Sequence, residues 1–452
     1  MAETPGRKVP SSRVGRMAQM GKMATGLATD LAGAAGKVAF GASTSRAAEQ
    51  FHRQAAKTIL ENLGQMKGLP MKAGQMISFF DDMIPPGYRD IYREALEKLQ
   101  MNSRPLRWAE IEQVIKKDLG QPPEKLFVEF SKEPIAAASI GQVYKAKLKD
   151  GRDVAVKVQY PGIADAVRSD IKNLDLLRNA LSMVLPKVEM EQGLQDLSAR
   201  VLEECDYGCE LNNQEEFAKI WQGDAQVVIP AVISEFSRDH VLTMEFHGGK
   251  TWRETVASAS QEDRNEYGEI IYRFVFRSLY CFGMFNADPH PGNYLFQPGK
   301  VVFLDFGCVQ RYPKDFIDQM AKVRHLITAG VRGKELFDAA IQAWGLPTEL
   351  DKEELAYLEE YLLCVYEPVL SKTPFRFSRE YTGYLADLSL KGGMLFARKA
   401  LTKGIRESKR PGFIFLNRIQ YGLASVLAGL EAQADWAGIT KEIDAERAKM
   451  PV

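Results

Sequence analysis

Apolar residues recur along the chain with two different spacings, and the spacing changes near residue 126. Residues 46–100 carry a helical pattern with few β-branched runs, interrupted at Gly68-Leu69-Pro70 and at Pro85-Pro86-Gly87. From about Leu126 to Gln159, short runs rich in β-branched and aromatic residues follow. The pattern therefore predicts a helical segment followed by a sheet.

Three runs in this second region predict individual strands. They are Phe127–Phe130, Val143–Leu148 and Val154–Val158. Asp150-Gly151, which lies between the last two runs, is typical of a tight hairpin turn. The sequence thus predicts an antiparallel hairpin over Val143–Val158.

Beyond this hairpin, strands give way to helices. Helices are predicted over 169–185 and 194–221, strands return over 227–246, and helices dominate after Trp252. A loop-rich island at Asn286–Cys308 interrupts them. Strands first and helices later, with a polar island at the junction, predict an α+β fold of two lobes with a cleft.

Composition narrows the class of protein. A chain of 452 residues suggests two or three packed units. The 59 basic residues balance the 59 acidic ones, which argues against a nucleic-acid partner. The five cysteines have no zinc-type spacing, which indicates reduced thiols in a cytoplasmic protein, and no apolar run is long enough to predict a membrane-spanning helix.

Charge is concentrated at the N-terminus. Between Met1 and Thr25 the only anion is Glu3, against five cations, and an Ala/Gly-rich stretch follows. Such a segment could lie on an anionic membrane surface at the inner face of the membrane, and the alternative is a solvated terminus. The cations are Arg7, Lys8, Arg13, Arg16 and Lys22.

The predicted hairpin carries candidate nucleotide chemistry. Kinases cover ATP with G-x-G-x-x-G-x-V and place a lysine on the next strand. Gly141-Gln142-Val143 fits the end of this pattern, Ala136 and Ala138 replace the earlier glycines, and Lys157 ends Val154-Ala155-Val156-Lys157. A lysine on a rigid strand can direct its ammonium at phosphate oxygens. The alternative is an ordinary hairpin with a solvent-facing lysine.

The polar island supplies the second half of the pattern. Asp288 and Asn293 keep the Asp–Asn spacing of H-R-D-x-x-x-x-N, and Asp305-Phe306-Gly307 follows an apolar strand. Asp305 and Asn293 are predicted to hold Mg²⁺ or Mn²⁺, and Asp288 to orient a nucleophile or water. The alternative for Asp288 and Asn293 is a Pro/Gly turn with capping side chains.

Two features depart from ordinary protein kinases. The arginine and histidine that usually precede the catalytic aspartate are absent before Asp288. No A-P-E follows Asp305, and a helix is predicted to begin directly after Arg311-Tyr312-Pro313. The sequence therefore leaves no room for an activation segment, the surface on which protein kinases hold peptides.

With Lys72-Ala73-Gly74-Gln75 added, these motifs resemble the UbiB/AarF family of atypical kinases. That family carries K-x-G-Q, A-A-A-S in place of the glycine loop (Ala136–Ser139 here), and E-x-D (Glu204–Asp206 here). The resemblance implies an atypical two-lobed protein-kinase-like fold with a helical extension over the active site. The domains implied are a basic segment 1–45, a helical extension 46–120, an N-lobe 121–246 and a mostly helical C-lobe 247–452.

The acidic residues before the second lobe are assigned on helix geometry. On one continuous helix Glu204 and Glu210 would lie 120° apart and could not share a partner. Glu210 is therefore predicted to pair with the catalytic Lys157, with Glu203 as the second choice. Glu204 is predicted to pair with Lys72, and Asp206, 40° from Glu210 on such a helix, could support the Lys157 site. The predicted regulatory latch comprises Lys72, Gln75, Glu204 and Asp206. The predicted nucleotide-binding set is Ala136, Ala137, Ala138, Ser139, Gly141, Val143, Lys157 and Glu245.

The function implied is a magnesium-dependent ATPase or small-molecule kinase. By resemblance it supports ubiquinone biosynthesis or related lipid metabolism at a membrane, with ATP and an isoprenoid quinone precursor or lipid as partners. Two alternatives remain: a genuine protein kinase, and a nucleotide-sensing scaffold or lipid-binding partner with little turnover. The intact Lys157, Asp288, Asn293 and Asp305 argue against the scaffold.

Overall fold

The computed structural model describes residues 108–138, 140–169, 202–403 and 412–450, with Glu49, Arg53, Ala56, Ile91 and Glu94 as separate positions. The predictions for the basic segment 1–45, for Lys72 and Gln75 and for Ser139 lie outside the described residues, as does nearly all of the helix predicted over 169–185. The chain forms two compact units, Met1–Ala146 with Val156–Asp206, and Lys147–Ala155 with Tyr207–Val452. The division into four domains expected from the sequence stays a prediction.

The first unit holds a small antiparallel sheet. The elements described in this part of the chain are α1 (Trp108–Leu119), α2 (Pro123–Leu126), β1 (Glu129–Phe130), β2 (Ala136–Ala138), β3 (Gly141–Lys147) and β4 (Asp153–Gln159). Ala136 lies opposite Val143 and Ala138 opposite Gly141, so β2 and β3 form a tight hairpin. In the sheet β3 lies between β1 and β4.

Aromatic packing joins α1 to this sheet. The ring of Trp108 lies 5.7 Å from that of Tyr144 and 5.3 Å from that of Phe130, and Tyr144 is buried. Ile111 and Ile115, one helical turn apart, are fully buried on the same face of α1. The helix is therefore fixed to the sheet by its apolar stripe.

The turn between β3 and β4 confirms the Asp150-Gly151 prediction. Gly151 has φ +91°, a left-handed conformation that glycine adopts without a steric penalty. The backbone N–H of Gly151 donates to the carbonyl of Leu148 over 3.0 Å, and Arg152 forms an ion pair with Asp150 over 2.7 Å. The reversal is thus local and follows from the two turn residues.

The second unit is mostly helical, with short strands around the polar island. Its elements are α3 (Tyr207–Ile220), β5 (Val227–Val228), β6 (Val241–Glu245), α4 (Trp252–Ser258), α5 (Gln261–Phe282), β7 (Met284–Asn286), β8 (Tyr294–Gln297), β9 (Lys300–Phe303), β10 (Val309–Arg311), α6 (Lys314–Thr328), α7 (Lys334–Trp344), α8 (Lys352–Leu370), β11 (Phe375–Arg376), α9 (Arg379–Lys403), α10 (Gly412–Gly429), β12 (Gln433–Ala434) and α11 (Trp436–Arg447). Among these strands β5 pairs in parallel with β9, β8 pairs antiparallel with β9, and β7 pairs antiparallel with β10.

Helix α5 is the centre of this unit. It starts in a capping box, in which the Ser260 side chain accepts from the N–H of Asp263 and the Asp263 side chain accepts in return. Phe274 stacks on Phe303 of β9 with 3.8 Å between ring centroids, and the Tyr272 hydroxyl lies 2.9 Å from that of Thr440 on α11. The helix therefore links the island strands to the C-terminal helix.

Gly283 ends α5 and brings the chain back into the island. It is left-handed at φ +66°, and a Cβ there would lie 2.7 Å from the carbonyl oxygen of Tyr312. The N–H of Tyr312 donates to the Gly283 carbonyl over 2.8 Å. Any larger residue would push β7 away from the segment that leads to α6.

The structure corrects three local predictions. The strand expected over Phe127–Phe130 is reduced to β1, because Phe127 instead donates its N–H to Pro123 at the end of α2. The region 227–246 is interrupted by a 3₁₀ turn at Ser234–Phe236. The Asn286–Cys308 island is less loop-rich than predicted, since β8 and β9 form a hairpin within it.

The helix predicted over Leu194–Trp221 is also wrong at one point, because Glu204–Asp206 form a turn and α3 begins at Tyr207. A side chain explains the break. The carbonyl of Cys205 accepts a hydrogen bond from Nε2 of Gln159 over 3.0 Å. That contact anchors the turn to the end of β4. The 120° separation of Glu204 and Glu210 therefore does not apply.

Taken together, the described residues form a mixed α+β chain with an antiparallel sheet towards the N-terminus and a helical C-terminal part. As expected, α6 begins directly after Pro313. None of the described helices is both long and apolar enough to cross a bilayer.

Candidate active site

Asp288 and Asn293 lie side by side in the loop between β7 and β8. Nδ2 of Asn293 donates to the carbonyl of Asp288 over 3.0 Å and to its carboxylate Oδ2 over 3.2 Å. A 3₁₀ turn at Pro291–Asn293 closes the loop, and His290 Nδ1 accepts the N–H of Gly292 over 3.0 Å. The Pro/Gly residues thus fold the loop so that the two polar side chains meet.

Asn286 joins this loop to the D-F-G segment. Its Nδ2 donates to the backbone carbonyl of Asp305 over 2.7 Å, and its Oδ1 accepts the N–H of Asp288 over 3.3 Å. A further bond runs from the N–H of Leu304 to the carbonyl of Asn293 over 3.0 Å. One side chain therefore bridges the two segments that carry Asp288 and Asp305.

The D-F-G segment is held from both ends. Oδ1 of Asp305 accepts the N–H of Gly307 over 2.9 Å. Phe306 is fully buried, and its ring lies 5.1 Å from that of Phe217 on α3. Asp305 is half-buried and Phe306 is part of the core, so core packing fixes the segment at Phe306 and leaves Asp305 partly exposed.

The loop also has an electrostatic effect on its surroundings. Tyr294, at the start of β8, is buried. Burial raises the pKa of its hydroxyl well above the usual value, and the negative charge of Asp288 raises that pKa further. Tyr294 therefore remains neutral near Asp288 over the physiological pH range.

The donor set fits a hard divalent cation. Mg²⁺ takes oxygen ligands and is usually held by one or two carboxylates together with substrate phosphates. Asp305 offers a carboxylate, and Asn293, whose Nδ2 is bonded to Asp288, offers its amide oxygen. Within the described ranges no group of three or more His, Cys, Asp or Glu side chains could hold a metal. A cation here would depend on the phosphates for its other ligands.

The nucleotide-binding candidates of the first unit lie on the β2–β3 hairpin and on β4. Ala136 and Ala137 are exposed on β2, and Gly141 begins β3. Lys157 is only 7% exposed, between the fully buried Val156 and Val158. The alternative of a solvent-facing lysine is therefore wrong. A buried ammonium costs free energy unless it is paired, which favours a specific electrostatic role.

The acidic candidates differ in exposure. Glu210 on α3 is 1% exposed and Glu204 is 9% exposed, whereas Glu203 and Asp206 are exposed. Glu245, at the end of β6, accepts the N–H of Ala231 over 3.3 Å. A carboxylate as buried as that of Glu210 is rarely without a partner. The pairs Lys157–Glu210 and Lys72–Glu204 stay predictions.

Two asparagines near the D-F-G segment were not predicted from the sequence. Asn286 stands two residues before Asp288, where H-R-D motifs have histidine, so its position in the motif was an available signal. Asn213 on α3 donates through Nδ2 to the carbonyl of Phe306 over 2.9 Å. Asn213 and Phe306 are far apart in the chain and belong to no shared motif, so only the fold brings them together.

The segment after D-F-G is short and structured. Only residues 308–313 separate Gly307 from α6, and Val309–Arg311 form β10, paired with β7. Val309 lies opposite Asn286, and the N–H of Ala287 donates to the carbonyl of Cys308 over 2.8 Å. The part of the chain that corresponds to the peptide-holding segment of protein kinases therefore contains a strand paired with β7, directly before the Asp288 loop.

The chain is similar to proteins of a known family. Residues 98–331 match the ABC1 atypical kinase-like domain. The chain is 33% identical to the mitochondrial atypical kinase COQ8B of Rattus norvegicus and 31% identical to COQ8 of Saccharomyces cerevisiae, over 73% and 71% of its own length and 63% of each relative. Among solved structures, Rv3197 of Mycobacterium tuberculosis in complex with erythromycin matches with a TM-score of 0.60 and 26% identity, over 89% of this chain and 98% of that one.

Proposed function

The chain belongs to the ABC1 atypical kinase-like family, as the UbiB-type motifs predicted, and we propose that it is a magnesium-dependent ATPase or small-molecule kinase. Membership of a kinase-like family implies that the chain binds a nucleotide. The observation that carries the finer proposal is the bridge made by Asn286, which holds the Asp288 loop against the D-F-G aspartate.

The residues have distinct roles in this proposal. Asp305 and Asn293 would hold the cation, which neutralises negative charge on the phosphates when bound. Asp288, fixed by Asn293, would orient the attacking water or hydroxyl and accept its proton. Lys157 would bind phosphate oxygens, supported by Glu210. Ala136–Ser139, Gly141, Val143 and Glu245 would surround the rest of the nucleotide.

A role in ubiquinone biosynthesis is proposed from the relatives alone. The similar proteins of rat and yeast are mitochondrial atypical kinases, and the chain spans 63% of the length of each. The substrate class we favour is an isoprenoid quinone precursor or a related lipid. The latch of Lys72 and Gln75 with Glu204 and Asp206 and the membrane-binding basic segment belong to the same proposal.

A single-turnover assay tests the activity. We expect the purified chain to form ADP from ATP only with Mg²⁺ or Mn²⁺, and faster with anionic vesicles and a phenolic quinone precursor present. Stimulation by the precursor with transfer of label to it would identify a kinase, and stimulation with release of phosphate alone would identify an ATPase. Absence of both nucleotide binding and ADP formation would remove the proposal.

If the chain were instead a protein kinase acting on free proteins, it would phosphorylate them at the rate of ordinary kinases. We expect the chain to label generic protein substrates from radiolabelled ATP at least about 100-fold more slowly than the ~1–100 s⁻¹ of ordinary kinases. The reason is that only residues 308–313 separate Gly307 from α6, and Val309–Arg311 of them form β10, so no segment is left to align a peptide hydroxyl beside Asp288. An ordinary protein kinase on the same substrates is the control, and labelling at its rate would favour the alternative.

A further inference from the structure

Two consecutive backbone carbonyls of the D-F-G segment each accept a hydrogen bond from an asparagine side chain. Nδ2 of Asn286 donates to the carbonyl of Asp305 over 2.7 Å, and Nδ2 of Asn213 donates to that of Phe306 over 2.9 Å. Asn286 ends β7 and Asn213 lies on α3, so the donors come from separate elements. The peptide that follows the metal-binding carboxylate is thus held from two directions.

The orientation of the Asn213 amide is itself fixed. Its Oδ1 accepts a hydrogen bond from Nη2 of Arg311 over 2.9 Å, and Arg311 also pairs with Glu216 on α3 over 2.5 Å. An arginine can only donate, so the oxygen of the amide must face it. The nitrogen must then face the Phe306 carbonyl. Asn213 is 8% exposed, so water cannot readily replace either contact.

Resting on the function proposed above, we propose that Asn213 is a positioning residue for the metal site. Asn213, with Arg311 fixing its amide, sets the backbone at Phe306 and thereby the position of the Asp305 carboxylate relative to Asn293. Hard cations with near-octahedral preference tolerate little displacement of a ligand. Loss of the Asn213 donor should therefore weaken metal-dependent nucleotide binding without removing a ligand.

The test replaces the donor and keeps the shape. In Asn213→Asp the oxygen facing Arg311 remains, but a second oxygen replaces the N–H₂ group and faces the Phe306 carbonyl. We expect the Mg²⁺ concentration for half-maximal thermal stabilisation at saturating ATP to rise at least tenfold. Arg311→Gln, which keeps the donor but no longer fixes its orientation, should raise it about threefold. In the double variant the two effects should be less than multiplicative, because both act through one amide.

Asn212→Asp is the matched control, since Asn212 is the exposed neighbour on the same helix and receives the same charge change. It should leave the Mg²⁺ requirement unchanged. A purely structural role for Asn213 would lower the melting temperature without nucleotide and leave the Mg²⁺ requirement as in the parent, which would overturn the inference. If Asn213→Asp does not fold, Arg311→Gln tests the same inference, and an unchanged Mg²⁺ requirement in that variant would overturn it. Failure of the parent itself to bind Mg-ATP would instead reject the proposed function.

Discussion

Replacement of Asp305 by asparagine is expected to abolish stabilisation of the chain by Mg-ATP. A ligand present at 100 times its dissociation constant stabilises the native state by about 2.7 kcal/mol, which thermal unfolding measures easily. Asparagine has nearly the same shape, and its side-chain oxygen can still accept the N–H of Gly307. The substitution therefore removes the negative charge that holds the cation and little else.

Two comparisons make this result specific. Asp239→Asn removes one charge from an exposed position before β6 and should leave nucleotide-induced stabilisation as in the parent. Unfolding of Asp305→Asn without nucleotide should occur within a few degrees of the parent. If Mg-ATP stabilises Asp305→Asn as strongly as the parent, Asp305 does not hold the metal and the central assignment of the site fails.

Local spacing is what made much of the site predictable from sequence. Asp288 and Asn293 are separated by one short Pro/Gly loop, so their hydrogen bond depends on few other contacts. The Asp150-Gly151 turn is equally local. In such cases the residue types alone restrict the backbone enough to indicate which side chains meet.

Tertiary contacts explain what could not be predicted. The helix predicted over 194–221 breaks at Glu204–Asp206, where the side chain of Gln159 on β4 donates a hydrogen bond to the Cys205 carbonyl. The residues around Cys205 in the sequence give no indication of that bond. The burial of Lys157 likewise depends on the residues that pack over β4 and not on the alternation of apolar and polar residues within that strand. The hydrogen bond from Asn213 to Phe306 joins residues that are 93 positions apart in the sequence. Propensity is overridden wherever a distant side chain captures a backbone group.

The complementary experiment concerns Asp288, for which turnover and binding should separate. Asp288→Asn is expected to lower the rate of ATP hydrolysis by roughly 10²–10⁴, the usual contribution of a general base. Binding of Mg-ATP should remain within about threefold, because Asp305 and Asn293 are unchanged. The physical reason lies in the carboxylate itself: Oδ2 accepts from Asn293, and Oδ1 accepts no hydrogen bond from any residue in the described ranges.

An asparagine at position 288 would satisfy Asn293 through its own oxygen and present an N–H₂ group in place of the second carboxylate oxygen. That group cannot take a proton from water or a hydroxyl, so the nucleophile loses its acceptor although the loop is preserved. Single-turnover hydrolysis and nucleotide-induced thermal stabilisation, measured on one preparation, distinguish the two effects. Hydrolysis within about threefold of the parent would show that Asp288 is not the base, and loss of both hydrolysis and binding would place it among the metal ligands instead.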